Sequence, residues 1–367
     1  MNVLTKNLDD DVQVVSMERP GSVHYYLAVQ GQATEAFQAD CQRLARVIQE
    51  KGAIPLSLDV FGVPGDALPV VQDAFGPLPC PVTWLEGRKA HAASFYGVLA
   101  RAIAGPEVVP LRLGSTLAGV SYRVNGVQYC RLGGIVPQDC SASRKEQTRE
   151  VFHLMERALG EVGMDFTHVA RTWFYNRDML EWYDVFNAVR TAFFMERNLL
   201  DRLVPASTGI GCWNGGGAAL TGGLIAMAYP ENKAALVEVP SPLQRPSFEY
   251  GSAFSRAVEF ATGGVHRLFV SGTASIEPSG ASVHIGDIRA QVQLTLDVIQ
   301  AILESRGMDW NSVSRSIAYF KHAEDTGELA ACMRERGMPR LPGILAHTDI
   351  CRDDLLFELE LDAIVAD

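Results

Sequence analysis

Apolar positions recur at helical spacing in two stretches that resemble each other. In the first, Val151, Leu154, Met155, Ala158 and Leu159 line one face. In the second, Leu296, Ile299, Ile302 and Leu303 do the same. Each helical pattern stops at a glycine, Gly163 or Gly307, which suits a left-handed C-cap. An apolar strand follows, "HVARTWFY" or "SVSRSIAYF". Aligned without a gap at an offset of 144, residues 147–175 and 291–319 share eight identities in 29 positions. These include Asp165/Asp309, Arg171/Arg315 and Tyr175/Tyr319. Helix, glycine stop and strand therefore form one unit that occurs twice.

Flanking patterns extend both copies. "QYCRLGGIVPQDC" and "RLFVSGTASIEPSG" each predict a strand and turn before the helix, and a further helix follows each second strand. Proline-rich residues 239–248 form the expected linker. The division is then an N-terminal module over 1–238, with an elaborated start, and a C-terminal module over 249–367. In residues 1–118, "HYYLAVQGQ" predicts a strand, "AFQADCQRLARVIQEKG" an amphipathic helix, and "FGVPGDALPVVQDAFGPLPCPV" a loop. This region is expected to elaborate the first module and not to stand as a third domain.

The last stretch, "DICRDDLLFELELDAIVAD", alternates at period two. Phe357, Leu359 and Leu361 share one face of a strand; Glu358, Glu360 and Asp362 share the other. Such a carboxylate row is either a solvated face or the wall of a cleft that needs an acid.

Composition is that of a globular protein, 47% hydrophobic and 20% charged over 367 residues. The net charge of −11 argues against a nucleic-acid partner, while local arginines still permit an anionic small substrate. Seven cysteines, none in CxxC spacing, read as reduced thiols of a cytoplasmic protein. Neither a signal peptide nor an apolar run of membrane-spanning length is apparent. The eight histidines make no HxH or HxxxH pair, there is no GxSxG elbow, and "GIGCWNGGG" lacks the endings of a nucleotide loop. No metal or cofactor is expected.

The pieces "AFSRAVEF", "RLFVSGTASIEPSG", "SIAYF" and "FELELDAIVA" resemble the RidA (YjgF) superfamily over 252–367. That resemblance implies an α+β fold of two RidA-like (chorismate-mutase-like) modules, each a β-sheet with helices on one face. It also implies trimers and a ligand cleft between modules. Two modules in one chain, with "PASTGIGCWNGGGAAL" and "ICRDDLLFELE", resemble the chorismatases over about 125–367. In that group a glutamate on the last strand is the acid/base, and a cysteine seven residues earlier marks the members that make hydroxybenzoates. Cys351 and Glu358 have that spacing.

The resemblance implies chorismate as substrate, with pyruvate and 3-hydroxybenzoate, and 4-hydroxybenzoate beside it, as products. Breaking an enolpyruvyl ether without redox chemistry needs a carboxylic acid kept neutral near pH 7, which burial achieves. Glu358 or Glu360 fits that role, with Glu358 favoured by its spacing from Cys351. Two substrate carboxylates call for guanidinium forks. Arg171, Arg190, Arg256 and Arg340 are the candidates, and Tyr175 and Tyr229 are candidate hydroxyl donors. Cys351 would shape the route taken, although a free cysteine is more often a small buried hydrophobe. The competing readings are a RidA-type enamine/imine deaminase, a chorismate hydrolase giving a dihydroxycyclohexadiene carboxylate, and a non-catalytic binding protein. "AFSRAV", with Phe254 and Arg256, departs from the deaminase motif "PYSQAV". A duplicated module makes internally a contact that single-module relatives make between subunits, so monomer and homotrimer both remain open.

Overall fold

The first 104 residues build a sheet of their own. A computed structural model describes residues 2–31, 34–87, 96–229 and 236–367. The N-terminal sheet comprises β1 (Val3–Asn7), β2 (Gln13–Arg19), β3 (Ser22–Gly31), β4 (Ile54–Phe61), β5 (Val82–Leu85) and β6 (Tyr96–Ala104), with helices α1 (Thr34–Glu50) and α2 (Pro64–Phe75). Its strand order is β1-β2-β3-β6-β4-β5. The middle sheet holds β7 (Val108–Leu113), β8 (Thr116–Val124), β9 (Val127–Ile135), β10 (Val169–Asn176), β11 (Ala206–Gly211) and β12 (Leu220–Ala228), with α3 (Arg144–Gly160) and α4 (Tyr183–Glu196). The C-terminal sheet holds β13 (Leu236–Val239), β14 (Ala257–Thr262), β15 (Val265–Ala274), β16 (Val313–Phe320), β17 (Gly343–His347) and β18 (Phe357–Ala366), with α5 (Ile288–Glu304) and α6 (Gly327–Glu335). Read in the same direction, all three sheets have one strand order.

The expected elaboration over 1–118 is thus a third α+β sheet, not an appendage to the second. Its inner strand even breaks register at the same place: between Pro55 and Ser57, as between Val169 and Arg171 and between Val313 and Arg315. The segment expected as a loop contains α2. Pro64 presets the first turn, and Ala67 and Val71 turn inward to the core. The repeat seen in the sequence is present as α3–β10 and α5–β16. Gly163 and Gly307 adopt φ of 71° and 65°, the left-handed stop that their positions predict. In the linker region, Val239 still belongs to β13, and a 3-10 turn starts at Ser247.

One face of each sheet is covered by its own helices. For the third sheet, Phe357, Leu359 and Leu361 of β18 pack with Leu296, Ile299 and Ile302 of α5. The opposite faces turn toward one another and make a further core, where Trp173, Tyr175, Ile317, Tyr319, Leu99 and Leu85 from the three sheets meet. The contacts run in a ring. β5 packs on β9, β11 on β15, and β17 on β3, so each sheet's parallel edge strand lies on a hairpin strand of another. Among the described residues no helix is long and apolar enough to cross a membrane.

Candidate active site

The carboxylate row of β18 is buried, not solvated. Glu358, Glu360 and Asp362 are 4%, 0% and 2% exposed, because their face points between the sheets. Asp362 pairs with Arg101 of β6 at 2.5 Å. Glu360 takes Arg315 Nη2 from β16 at 2.5 Å and Arg171 Nη2 from β10 at 2.8 Å. Trp173 Nε1 also donates to both Glu360 oxygens, at 2.9 and 3.0 Å. The guanidinium carbons of Arg131, Arg171, Arg315 and Arg101 lie 4.6, 4.9, 5.2 and 5.7 Å from the centre of the Trp173 ring. Asp59 of β4 closes the cluster, accepting from Arg131 at 3.3 Å.

Among the described residues no arginine pairs with Glu358, which sits beside this cluster, and the two glutamates titrate in opposite directions. Despite burial, Arg315 and Arg171 hold Glu360 below the usual carboxylate range. Burial first, and then the charge of Glu360, push Glu358 up to about 8, against the weaker pull of Arg171. At neutral pH Glu358 is therefore a carboxylic acid and Glu360 a carboxylate.

Backbone geometry makes room for that acid. Glu358 faces Ala274 of β15 and Tyr319 of β16 in register. The β15–β18 ladder slips between Val270 and Thr273, and Gly272 lies in the slip. A Cβ on Gly272 would run into Glu358 Oε1, so only glycine leaves the carboxyl its place. The Gly272 N–H donates to Thr208 Oγ1 at 3.1 Å, tying the slip to β11 of the middle sheet. Arg171 Nη2 donates to the same Thr208 oxygen at 2.5 Å.

Glu358 opens onto a cavity of about 540 Å³ between the middle and C-terminal sheets. Cys351, Arg190, Arg256, Phe254, Tyr183 and Arg352 also line it. The volume lies in the range of small-molecule sites. Arg190 projects from α4, its Nη2 donating to Asn187 Oδ1 at 2.6 Å. Arg256 is braced by Arg245 O, which accepts from Nε at 3.0 Å and Nη2 at 2.9 Å. Both guanidiniums flank the Phe254 ring, at 5.6 and 5.5 Å from its centre. Burial, and then the neighbouring Glu358, push the Cys351 thiol up to about 12, so it faces the cavity as a neutral thiol.

Of the residues singled out in the sequence, Glu358, Cys351 and Arg256 come together here, and so does Arg190. The others lie elsewhere. Arg171 is fully buried against Glu360 and is not in the cavity wall. Tyr175 is packed in the core between the sheets. Tyr229 donates to Ala261 O at 3.4 Å and packs on the Phe260 ring. Arg340 is exposed and donates to Leu8 O at 2.6 Å. Because β17 runs parallel to β16 with Gly343 beside Ser316, Arg340 falls level with the far end of β18 from Glu358. Tyr183, Asn187, Ser207 and Arg352 escaped notice in the sequence. They belong to a helix, an edge strand and a loop that only the fold brings to the last strand.

No family model matches the chain. A chorismatase of Streptomyces rapamycinicus is 33% identical over 228 residues, 55% of this chain. The match spans 65% of that relative's length, just short of two thirds. A 3-hydroxybenzoate synthase of Streptomyces hygroscopicus is 28% identical over 271 residues, 66% of this chain and 75% of that one. A RutC family protein of Pyrococcus horikoshii is 30% identical over 94 residues, 25% of this chain and 75% of its own. A crystal structure of chorismatase superposes with a TM-score of 0.59 over 84% of this chain and 93% of that chain, at 21% identity, which establishes a common fold. The chain thus shares the chorismatase fold and is similar in sequence to chorismatases and a 3-hydroxybenzoate synthase of Streptomyces.

Proposed function

We propose that this chain cleaves the enolpyruvyl ether of chorismate, releasing pyruvate and 3-hydroxybenzoate, with 4-hydroxybenzoate as a minor product. The observation that carries the reading is a single buried carboxyl, Glu358, held protonated at neutral pH and facing a cavity lined by three arginines, Arg190, Arg256 and Arg352. Glu358 donates its proton to the methylene carbon of the enolpyruvyl group. The ether carbon becomes an oxocarbenium centre, and the Glu358 carboxylate is then the base that recovers a proton as the ring aromatises. In the hydroxybenzoate route the neighbouring ring hydroxyl captures the cation as a cyclic ketal. Loss of the ring C–H proton to Glu358 then breaks the adjacent ring C–O bond and aromatises the ring, and the resulting hemiketal collapses to pyruvate and the phenol. In the hydrolytic route water captures the cation, and the hemiketal collapses to pyruvate and the ring alcohol. Hydroxybenzoate and pyruvate together contain the atoms of chorismate, so the first route consumes no net water. Arg190 and Arg256 orient the two carboxylates, and Phe254 between them supplies an apolar wall for the ring. Cys351, as a neutral thiol beside Glu358, excludes water from the cation.

The test is incubation of the purified chain with chorismate, following pyruvate and identifying the ring product by chromatography. Hydroxybenzoate with pyruvate is the expected outcome, together with loss of turnover in a folded Glu358→Gln variant. A non-aromatic diol with pyruvate would keep the acid and remove the role given to Cys351. No pyruvate from a folded sample would overturn the reading.

A further inference from the structure

A second cluster of buried charge lies apart from the cleft, where residues of all three sheets surround a small cavity of about 40 Å³. His24 and Tyr26 come from β3, Arg101 from β6, Tyr122 from β8, Tyr129 from β9, and Arg267 from β15. Three guanidiniums border it, counting Arg131. Two of them are neutralised elsewhere, Arg101 by Asp362 and Arg131 by Asp59.

Arg267 is different. It is 4% exposed, and no carboxylate among the described residues pairs with it. Its partners are phenols. Nη1 donates to Tyr129 Oη at 3.3 Å, and Tyr26 also hydrogen-bonds the guanidinium. Among the described residues neither Arg267 Nη2 nor Nε2 of His24, itself 5% exposed, has a hydrogen-bond partner. Tyr122 and Tyr129 stack face to face at 5.1 Å, and burial raises the Tyr122 pKa, so that phenol supplies no negative charge. Burial and the charges of Arg267, Arg19 and Arg101 hold His24 neutral. Burial opposes the Arg267 charge and the three tyrosines favour it, but no carboxylate among the described residues pairs with it, and a counter-ion offsets the cost of burying it.

We infer that this cavity binds a small inorganic monovalent anion of the chloride class, held by Arg267 Nη2 and the His24 imidazole. The volume exceeds the roughly 10–15 Å³ that one water-sized occupant needs, and it is far too small for an aromatic acid. An anion here joins β3 of the N-terminal sheet to β15 of the C-terminal sheet through one charge, so its role is to hold these two sheets together. The inference does not depend on the reaction carried out in the cleft.

Bromide is the probe, since it scatters anomalously and substitutes for chloride. The full chain is prepared in sodium gluconate, and crystals are soaked in sodium bromide. The expected result is an anomalous peak in the cavity within reach of Arg267 Nη2. In solution, Tm should rise with bromide concentration at constant ionic strength, the balance being gluconate. Arg267→Met should flatten that dependence; if the variant does not fold, the wild-type crystal decides alone. No peak in the cavity overturns the inference whatever Tm does, because water then fills the space or the anion acts elsewhere.

Discussion

Glu358 and Glu360 stand two residues apart on one strand face, yet their surroundings give them opposite charge states. The difference is local: Glu360 accepts from Arg171, Arg315 and Trp173, while Glu358 has a glycine and a cavity. If Glu358 acts as the acid, kcat/KM falls as pH rises through about 8, where the carboxyl loses its proton in the free enzyme. Stability follows the same group in a defined direction. Its folded pKa stands above the ordinary 4.5, so between those values the folded chain binds more protons than the unfolded one. This contribution therefore declines from about pH 4.5 to about 8 and is level beyond, which urea titrations of wild type and Glu358→Gln across that range would resolve. Arg171→Met gives a second expectation. It breaks a buried pair and should cost roughly 3–5 kcal/mol in urea unfolding. Since Arg171 lowers the Glu358 pKa, the same substitution should move the activity limb to higher pH.

Among the elements, the slip in β15 matters most to the site. Gly272 gives Glu358 its space, and its N–H holds Thr208 of the middle sheet. Gly272→Ala should leave the fold intact and lower kcat by roughly 10²-fold, the order expected when a reacting group is displaced by about 1 Å. An unchanged kcat would mean that the carboxyl does not act from this position. Helices and strands of the repeat were legible because their apolar spacing and glycine stops are local signals, as in α3–β10 and α5–β16. Of the first sheet only β3 and α1 were legible. β4 carries Ser57 where β10 and β16 carry Arg171 and Arg315 in register, and α2 contains prolines at 64 and 69. The carboxylate face of β18 was legible as a face but not as buried. Its arginines come from positions 101, 171 and 315; the repeat links Arg171 and Arg315, but nothing in the sequence ties Arg101 to them or points any of them at β18.

At the scale of the molecule, three sheets of one strand order are joined in one chain. The register gives the counterparts of Glu358: Tyr319 faces Glu358, Tyr175 faces Thr221, and Phe61 faces Gly97. Neither counterpart is an acid. Calorimetric titration with an unreactive chorismate analogue should accordingly give one site per chain. A value of three would mean that the other two junctions also bind.

That joining has a consequence for how such a protein can change. In an assembly of identical subunits every substitution enters each junction at once, so a carboxyl that helps at one place burdens all of them. Here each junction has its own stretch of gene. Position 358 can be glutamate while position 221 is threonine and position 97 is glycine, and each can be selected for a different task. Two of the junctions are thereby free to serve rigidity alone, and mutations there are filtered by whether the chain folds and not by what it makes.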